Sequence, residues 1–105
     1  MIRLVEQNRA AVEALCKRSG VARLELFGSA ATDSFDGDHS DVDFLVEFQP
    51  DYDLGPWLAR YFDFKRDLEQ LLGRPVDLVM AGARSLNNPY FAREVNRTRQ
   101  LLYAA

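Results

Sequence analysis

With a single cysteine, histidine and tryptophan among 105 residues, several chemistries are excluded at the outset. A lone Cys16 closes no internal disulfide, and its place on a helical pattern makes it a small core residue rather than a nucleophile. Nothing beside His39 suggests a triad, so it reads as an exposed loop residue. No stretch approaches the roughly 20 apolar residues of a membrane span, and residues 1–16 lack the continuous apolar run of a secretion signal. Repeats and low-complexity tracts are also missing. The expectation is a cytoplasmic protein with no membrane attachment, folded as one domain over residues 1–105.

Positive charge is missing from one long stretch. No Lys or Arg occurs from Phe27 through Ala59, while eight acids (Asp33, Asp36, Asp38, Asp41, Asp43, Glu47, Asp51 and Asp53) fall between Phe27 and Asp53. From Ala83 onward the balance reverses, with Arg84, Arg93, Arg97 and Arg99 against Glu94 alone. Affinity for a phosphate backbone needs clustered Lys and Arg, so a formal net charge of −3 argues against stable nucleic-acid binding. A solvated loop is the ordinary reading of an acidic run and suffices for Asp51 and Asp53. Asp41 and Asp43 need another account.

What is present is an alternation of helix and strand patterns. Val5, Val12, Leu15 and Cys16 recur at helical spacing up to Gly20, which predicts a helix over residues 3–19. Leu24 and Leu26 alternate with Arg23 and Glu25, giving a short strand over 22–27 that runs into Gly28-Ser29 and then a short helix over 29–34. Val42, Phe44, Val46 and Phe48 form one side of a period-two pattern whose other side is Asp41, Asp43, Leu45 and Glu47, a strand with one apolar face. After a connection over 49–56, a helix over 57–72 is expected to bury Trp57, Tyr61, Phe64, Leu68 and Leu71. Gly73-Arg74-Pro75 ends that helix, and Val76 to Met80 follows as a strand. Asn88 caps a last helix that has Pro89 at its first position and reaches about Arg97, and residues 101–103 add an edge strand. The fold class is α/β, a small mixed β-sheet flanked by helices.

Residues i and i+2 of a strand share a face with Cα atoms about 6.5 Å apart, so Asp41 and Asp43 present neighbouring carboxylates. Two unit charges about 5 Å apart repel by roughly 3 kcal/mol at an effective dielectric near 20. A pair of Mg²⁺ ions offsets this, since hard cations take carboxylate oxygens and leave positions open for the oxygens of a nucleoside triphosphate. Gly28-Ser29 lies where the first strand ends, a place where glycine lets backbone N–H groups approach a phosphate and the serine hydroxyl adds a donor. Asp77 is a lone charge inside an apolar strand, costly unless paired or metal-bound. If that strand neighbours the one carrying Asp41 and Asp43, three carboxylates converge. Asp77 is then the candidate to accept the proton of an attacking hydroxyl or to complete the metal shell.

The segments Leu26-Phe27-Gly28-Ser29, Ser40-Asp41-Val42-Asp43-Phe44-Leu45-Val46 and Gly73-Arg74-Pro75-Val76-Asp77-Leu78-Val79 occur in this order, with eleven residues between Ser29 and Asp41. They resemble the signature segments of the minimal nucleotidyltransferases (MNT) of the DNA polymerase β-like superfamily, and the similarity extends over most of the chain, the closing Pro89-to-Tyr103 segment included. The resemblance implies a polymerase β-like core in which Gly28 and Ser29 hold a triphosphate, with Ser40 counted among the nucleotide-binding residues. Asp41 and Asp43 would bind Mg²⁺, and Asp77 would complete the catalytic and metal-binding set. It also implies ATP as donor, AMP transferred to a hydroxyl of a partner protein, and a helical HEPN protein as that partner in a toxin–antitoxin pair. Two departures are visible: the family usually has ten residues between the Gly-Ser and the first aspartate, where this chain has eleven, and where the family tends to place an arginine shortly after the Gly-Ser, this chain has Ala30, Ala31 and Thr32.

Two other readings compete. Asp36 through Glu47 imitates a calcium loop, but Asp41 stands at the position that needs glycine, and Val42 to Phe48 alternates as a strand does. The stronger rival is a binding module that neutralises its partner by covering it, since aromatic residues are dense from Tyr52 to Phe64 and such a cluster can form an interface core.

Overall fold

The computed structural model describes residues 1–32 and 41–105. Asp33, Asp36, Asp38, His39 and Ser40 lie outside the described residues, and in place of the short helix expected over 29–34 a 3₁₀ turn over Gly28–Ala31 ends at Ala31, with Thr32 extended.

Strands β1 (Val21–Phe27), β2 (Val42–Phe48), β3 (Val76–Met80) and β4 (Gln100–Ala104) form one sheet in the order β3-β2-β1-β4. β1 pairs antiparallel with β2 and with β4, while β2 pairs parallel with β3, so the sheet is mixed as expected. Parallel neighbours need a crossover, which helix α3 (Ala59–Leu72) supplies. Strand periodicity sends Leu24, Leu26, Val42, Phe44, Val46, Val76, Leu78 and Leu102 to one face, where they pack with α3 and with α2 (Arg9–Arg18) in the main core. The other face carries a second, smaller core of Phe27 and Leu45 under Val95 of α4 (Pro89–Thr98), with Val79, Leu86 and Phe91 around it. β2 therefore has apolar residues on both faces rather than one, and Leu45 is buried.

The first helix is broken where the sequence pattern ran straight through. α1 (Arg3–Gln7) stops at Asn8, whose backbone leaves the helical region (φ −103, ψ 10) and whose side-chain Nδ2 donates to the Leu4 carbonyl at 2.8 Å. An asparagine side chain competes with the backbone for helical carbonyls, and periodicity of apolar residues does not register that competition. A second correction concerns Trp57. Helix α3 begins at Ala59, preceded by a tight turn in which both Trp57 (φ 56) and Leu58 (φ 57) are left-handed. Trp57 thus falls off the buried stripe and is 94% exposed, while Phe64, Leu68 and Leu72 carry the packing.

β3 is an edge strand, and α3 covers its open side. The Val42 N–H donates to the Pro75 carbonyl and the Ala81 N–H to the Val46 carbonyl, so Val76 and Leu78 turn their backbone groups away from β2. Glu69 Oε2 accepts the Val76 N–H at 3.1 Å, and the Tyr61 hydroxyl donates to the Leu78 carbonyl. Both groups are thereby withheld from foreign strands. As expected, Asn88 caps α4, its Oδ1 accepting the Tyr90 N–H at 2.9 Å. Among the described residues no helix is long and apolar enough to cross a membrane.

Candidate active site

Register brings two of the three sequence-identified carboxylates side by side. Asp43 is the Cα partner of Asp77 across the parallel pair and of Phe27 across the antiparallel pair, so the row Phe27-Asp43-Asp77 crosses one end of the sheet. Neighbouring strands are about 4.8 Å apart, and residues in register point to the same side. Asp41 sits immediately ahead of β2 rather than inside it, exposed, two residues from Asp43. All three lie at the end of the sheet where β1 finishes and where β2 and β3 begin.

Their environments differ. Asp77 and Asp41 are exposed, whereas Asp43 is half-buried. Burial pushes the Asp43 carboxyl up to about 6, and repulsion from Asp77 and then Asp41 adds to the rise. Burial and the nearby Asp77 also raise the Tyr61 hydroxyl above its usual range.

Gly28 closes the site from the β1 side. It opens a tight 3₁₀ turn, Gly28–Ala31, with φ +71, and an added Cβ would stand 2.6 Å from Asp43 Oδ2. Both the left-handed backbone and the contact with the carboxylate demand glycine. The Gly28 N–H does not point to a ligand: it donates to Thr98 Oγ1 at 2.8 Å in a buried bond. Ser29, next in the turn, is half-buried. Ala30 and Ala31 are core residues, and their carbonyls accept from the Ile2 N–H at 2.9 Å and from the terminal ammonium of Met1 at 3.3 Å. Of the three positions where the family tends to carry arginine, Ala30 and Ala31 are therefore interior here and Thr32 is half-buried.

Sequence reasoning missed two contributors. Thr98 stands at the end of α4, and its one visible signal was a hydroxyl where the apolar stripe through Phe91 and Val95 would next fall. Glu25, read as the polar side of a strand, is 3% exposed and held by Arg99 in a two-pronged pair at 2.6 and 2.7 Å and by Arg23 at 2.8 Å. Hydrogen bonding from Arg99, then from Arg23, lowers the Glu25 carboxyl to about 2 against the opposing effect of burial. Nothing local in the sequence pairs Glu25 with a residue 74 positions away.

Among the described residues no three His, Cys, Asp or Glu side chains are grouped so as to hold a metal ion by themselves. Mg²⁺ in nucleotide enzymes does not need one, because one or two carboxylates hold it and substrate phosphates and water supply the remaining oxygens. A half-buried Asp43 beside exposed Asp41 and Asp77 is a hard-oxygen donor set with excess negative charge, and it fits an open site of that kind.

Comparison with known proteins agrees with this fold. A candidate protein adenylyltransferase of Methanocaldococcus jannaschii, MJ0128, is 38% identical over 77 residues, covering 71% of this chain and 69% of its own length. A solved structure described as a minimal nucleotidyltransferase superposes with a TM-score of 0.69 at 33% identity, covering 94% of this chain and 95% of that one. The same fold recurs, at 19% identity and a TM-score of 0.64, in a Shewanella oneidensis complex of a tri-AMPylated HEPN toxin with its MNT antitoxin, covering 95% of this chain and 72% of that one. Residues 9–102 match the model of the nucleotidyltransferase domain. With that match spanning nearly the whole chain, the chain belongs to the nucleotidyltransferase domain family.

Proposed function

We propose that this chain is a Mg²⁺-dependent protein adenylyltransferase that moves AMP from ATP onto a hydroxyl of a HEPN-type partner, as the antitoxin of a toxin–antitoxin pair. The observation that carries the reading is Asp43 in register with Asp77, with the Gly28 turn packed against its carboxylate. A relative named for protein adenylyltransferase activity and neighbours in complexes with a HEPN toxin, or with AMP-PNP, support the choice of donor and acceptor.

In this reading Ser29 and the turn it sits in hold the triphosphate, with Ser40 as a further contact. Asp41 and Asp43 are the residues that hold Mg²⁺, which supplies charge neutralisation at the phosphates. Asp77, exposed at the front of the row, takes the proton of the incoming hydroxyl. The hydroxyl oxygen bonds to the α-phosphorus as the bond to the bridging oxygen breaks, and pyrophosphate leaves with that electron pair.

Intact-mass spectrometry of the HEPN partner after incubation with ATP and Mg²⁺ tests the reading. Wild type is expected to add one AMP mass per modified hydroxyl and Asp41→Asn none. A partner that stays unmodified yet is inhibited equally by both would make the chain a neutralising binding module instead.

A further inference from the structure

Thr98 belongs to α4, outside the three sequence segments that carry the carboxylates and the Gly-Ser turn, yet its hydroxyl reaches the turn directly. It donates to the Glu94 carbonyl at 2.7 Å and accepts the Gly28 N–H at 2.8 Å, and the residue is 5% exposed. A threonine hydroxyl has one proton. With that proton directed to Glu94, an oxygen lone pair is fixed toward Gly28 and cannot rotate away without orphaning a buried backbone donor. Gly28 in turn lies against Asp43 Oδ2, so close that a methyl group in place of its hydrogen would stand 2.6 Å from that oxygen. Thr98 Oγ1, the Gly28 backbone and the Asp43 carboxylate form one contiguous path.

Two features make this more than a helix end tied to a strand. Gly28 starts the Gly28–Ala31 turn, so fixing its N–H fixes where the Ser29 hydroxyl and the rest of the turn begin. Arg99, the next residue after Thr98, grips Glu25 at 2.6 and 2.7 Å, so the end of α4 is bound to β1 as well as to the Gly28 turn and has little freedom to shift. We propose that Thr98 is a positioning residue for nucleotide transfer: it sets the Gly28–Ala31 turn at the spacing from Asp43 that triphosphate binding requires. This rests on the reading of Gly28 and Ser29 as the triphosphate-holding turn.

Thr98→Val keeps the shape and removes the acceptor, while Thr98→Ser keeps the acceptor. Titration calorimetry with AMP-PNP and Mg²⁺, below each variant's melting temperature, is expected to show Thr98→Val weakened about tenfold, the equivalent of one buried hydrogen bond, and Thr98→Ser within about twofold of wild type. A purely structural threonine would lower the melting temperature and leave the dissociation constant of folded protein unchanged; that result overturns the proposal. Hydrogen exchange on wild type serves if Thr98→Val does not fold. The Gly28 amide is expected to be protected both without and with AMP-PNP and Mg²⁺, and loss of protection on nucleotide binding would equally overturn the role of Thr98. Wild type that binds no nucleotide at all removes the reading of the turn itself, whereas wild type and Thr98→Val binding alike removes Thr98 alone.

Discussion

Asp43 is held where burial and two neighbouring carboxylates disfavour its charge. Its pKa is raised from 3.8 to about 6, so its folded form binds the proton more tightly than the unfolded form does. The stability this gives is fully present below about pH 4 and is lost as pH rises through about 6. In chelator, the wild-type melting temperature is expected to step down across that window, and Asp43→Asn to lack the step and melt higher at pH 7 while losing transfer. Equal melting curves across the window would remove the burial argument. Glu25 behaves in the opposite sense: its pKa is lowered to about 2, so its contribution is present above about 4.5 and fades as pH falls toward 2. Arg99→Met leaves this buried acid with Arg23 alone and is expected to cost about 2 kcal/mol in urea unfolding at pH 7. The same comparison near pH 2.5 should show most of that cost gone.

At the scale of elements, periodicity located β1, β2, β3, the helix that contains α2, and α3, because each buries a stripe that residue spacing reveals, while α4 was read from its Asn88-Pro89 cap. The alternation of β2 and β3 was legible and placed Asp43 and Asp77 in strands, but that the two strands pair was only a condition, and the register that brings Asp43 to Asp77 comes from the structure. Two boundaries failed for local reasons. Asn8 breaks the first helix through its own side chain, and Trp57 looks like a core residue only if the helix is assumed to begin two residues too early. The Trp57 reading can be tested by mutation. A buried tryptophan truncated to glycine costs about 3–5 kcal/mol. Here the side chain is almost wholly exposed and its φ is +56, so Trp57→Gly is expected to change unfolding free energy by less than about 0.5 kcal/mol. Because Trp57 is the single tryptophan, acrylamide quenching of its fluorescence should also approach that of a free indole in water. Thr98 and Arg99 were illegible for another reason: their partners, Gly28 and Glu25, lie 70 and 74 residues away, and single-sequence patterns carry no information about such pairs.

For the whole molecule, the proposed chemistry and the fold share one end of the sheet, and metal removal should affect both. In chelator the carboxylates and a triphosphate repel with nothing between them, so calorimetry is expected to show nucleotide binding lost and then restored by excess Mg²⁺. Tight binding in chelator would refute the metal-dependent reading. The end of the sheet is also where early and late parts of the chain meet. β1 lies between β2 and β4, and its pairing with β4 joins Arg23 to Ala104 and Leu26 to Gln100. Contacts that distant in sequence form late, because a long loop must close first. On a ribosome the consequence is one of timing. A nascent chain that has emerged only as far as Met80 already carries the Gly-Ser turn and all three aspartates, yet it has neither the hydroxyl that fixes Gly28 nor the strand that covers the open side of β1. If the proposed function holds, such a chain has its carboxylates but not the hydroxyl that sets the turn, so the order of synthesis is expected to act as a delay, with nucleotide binding beginning only once the residues after Met80 have been made.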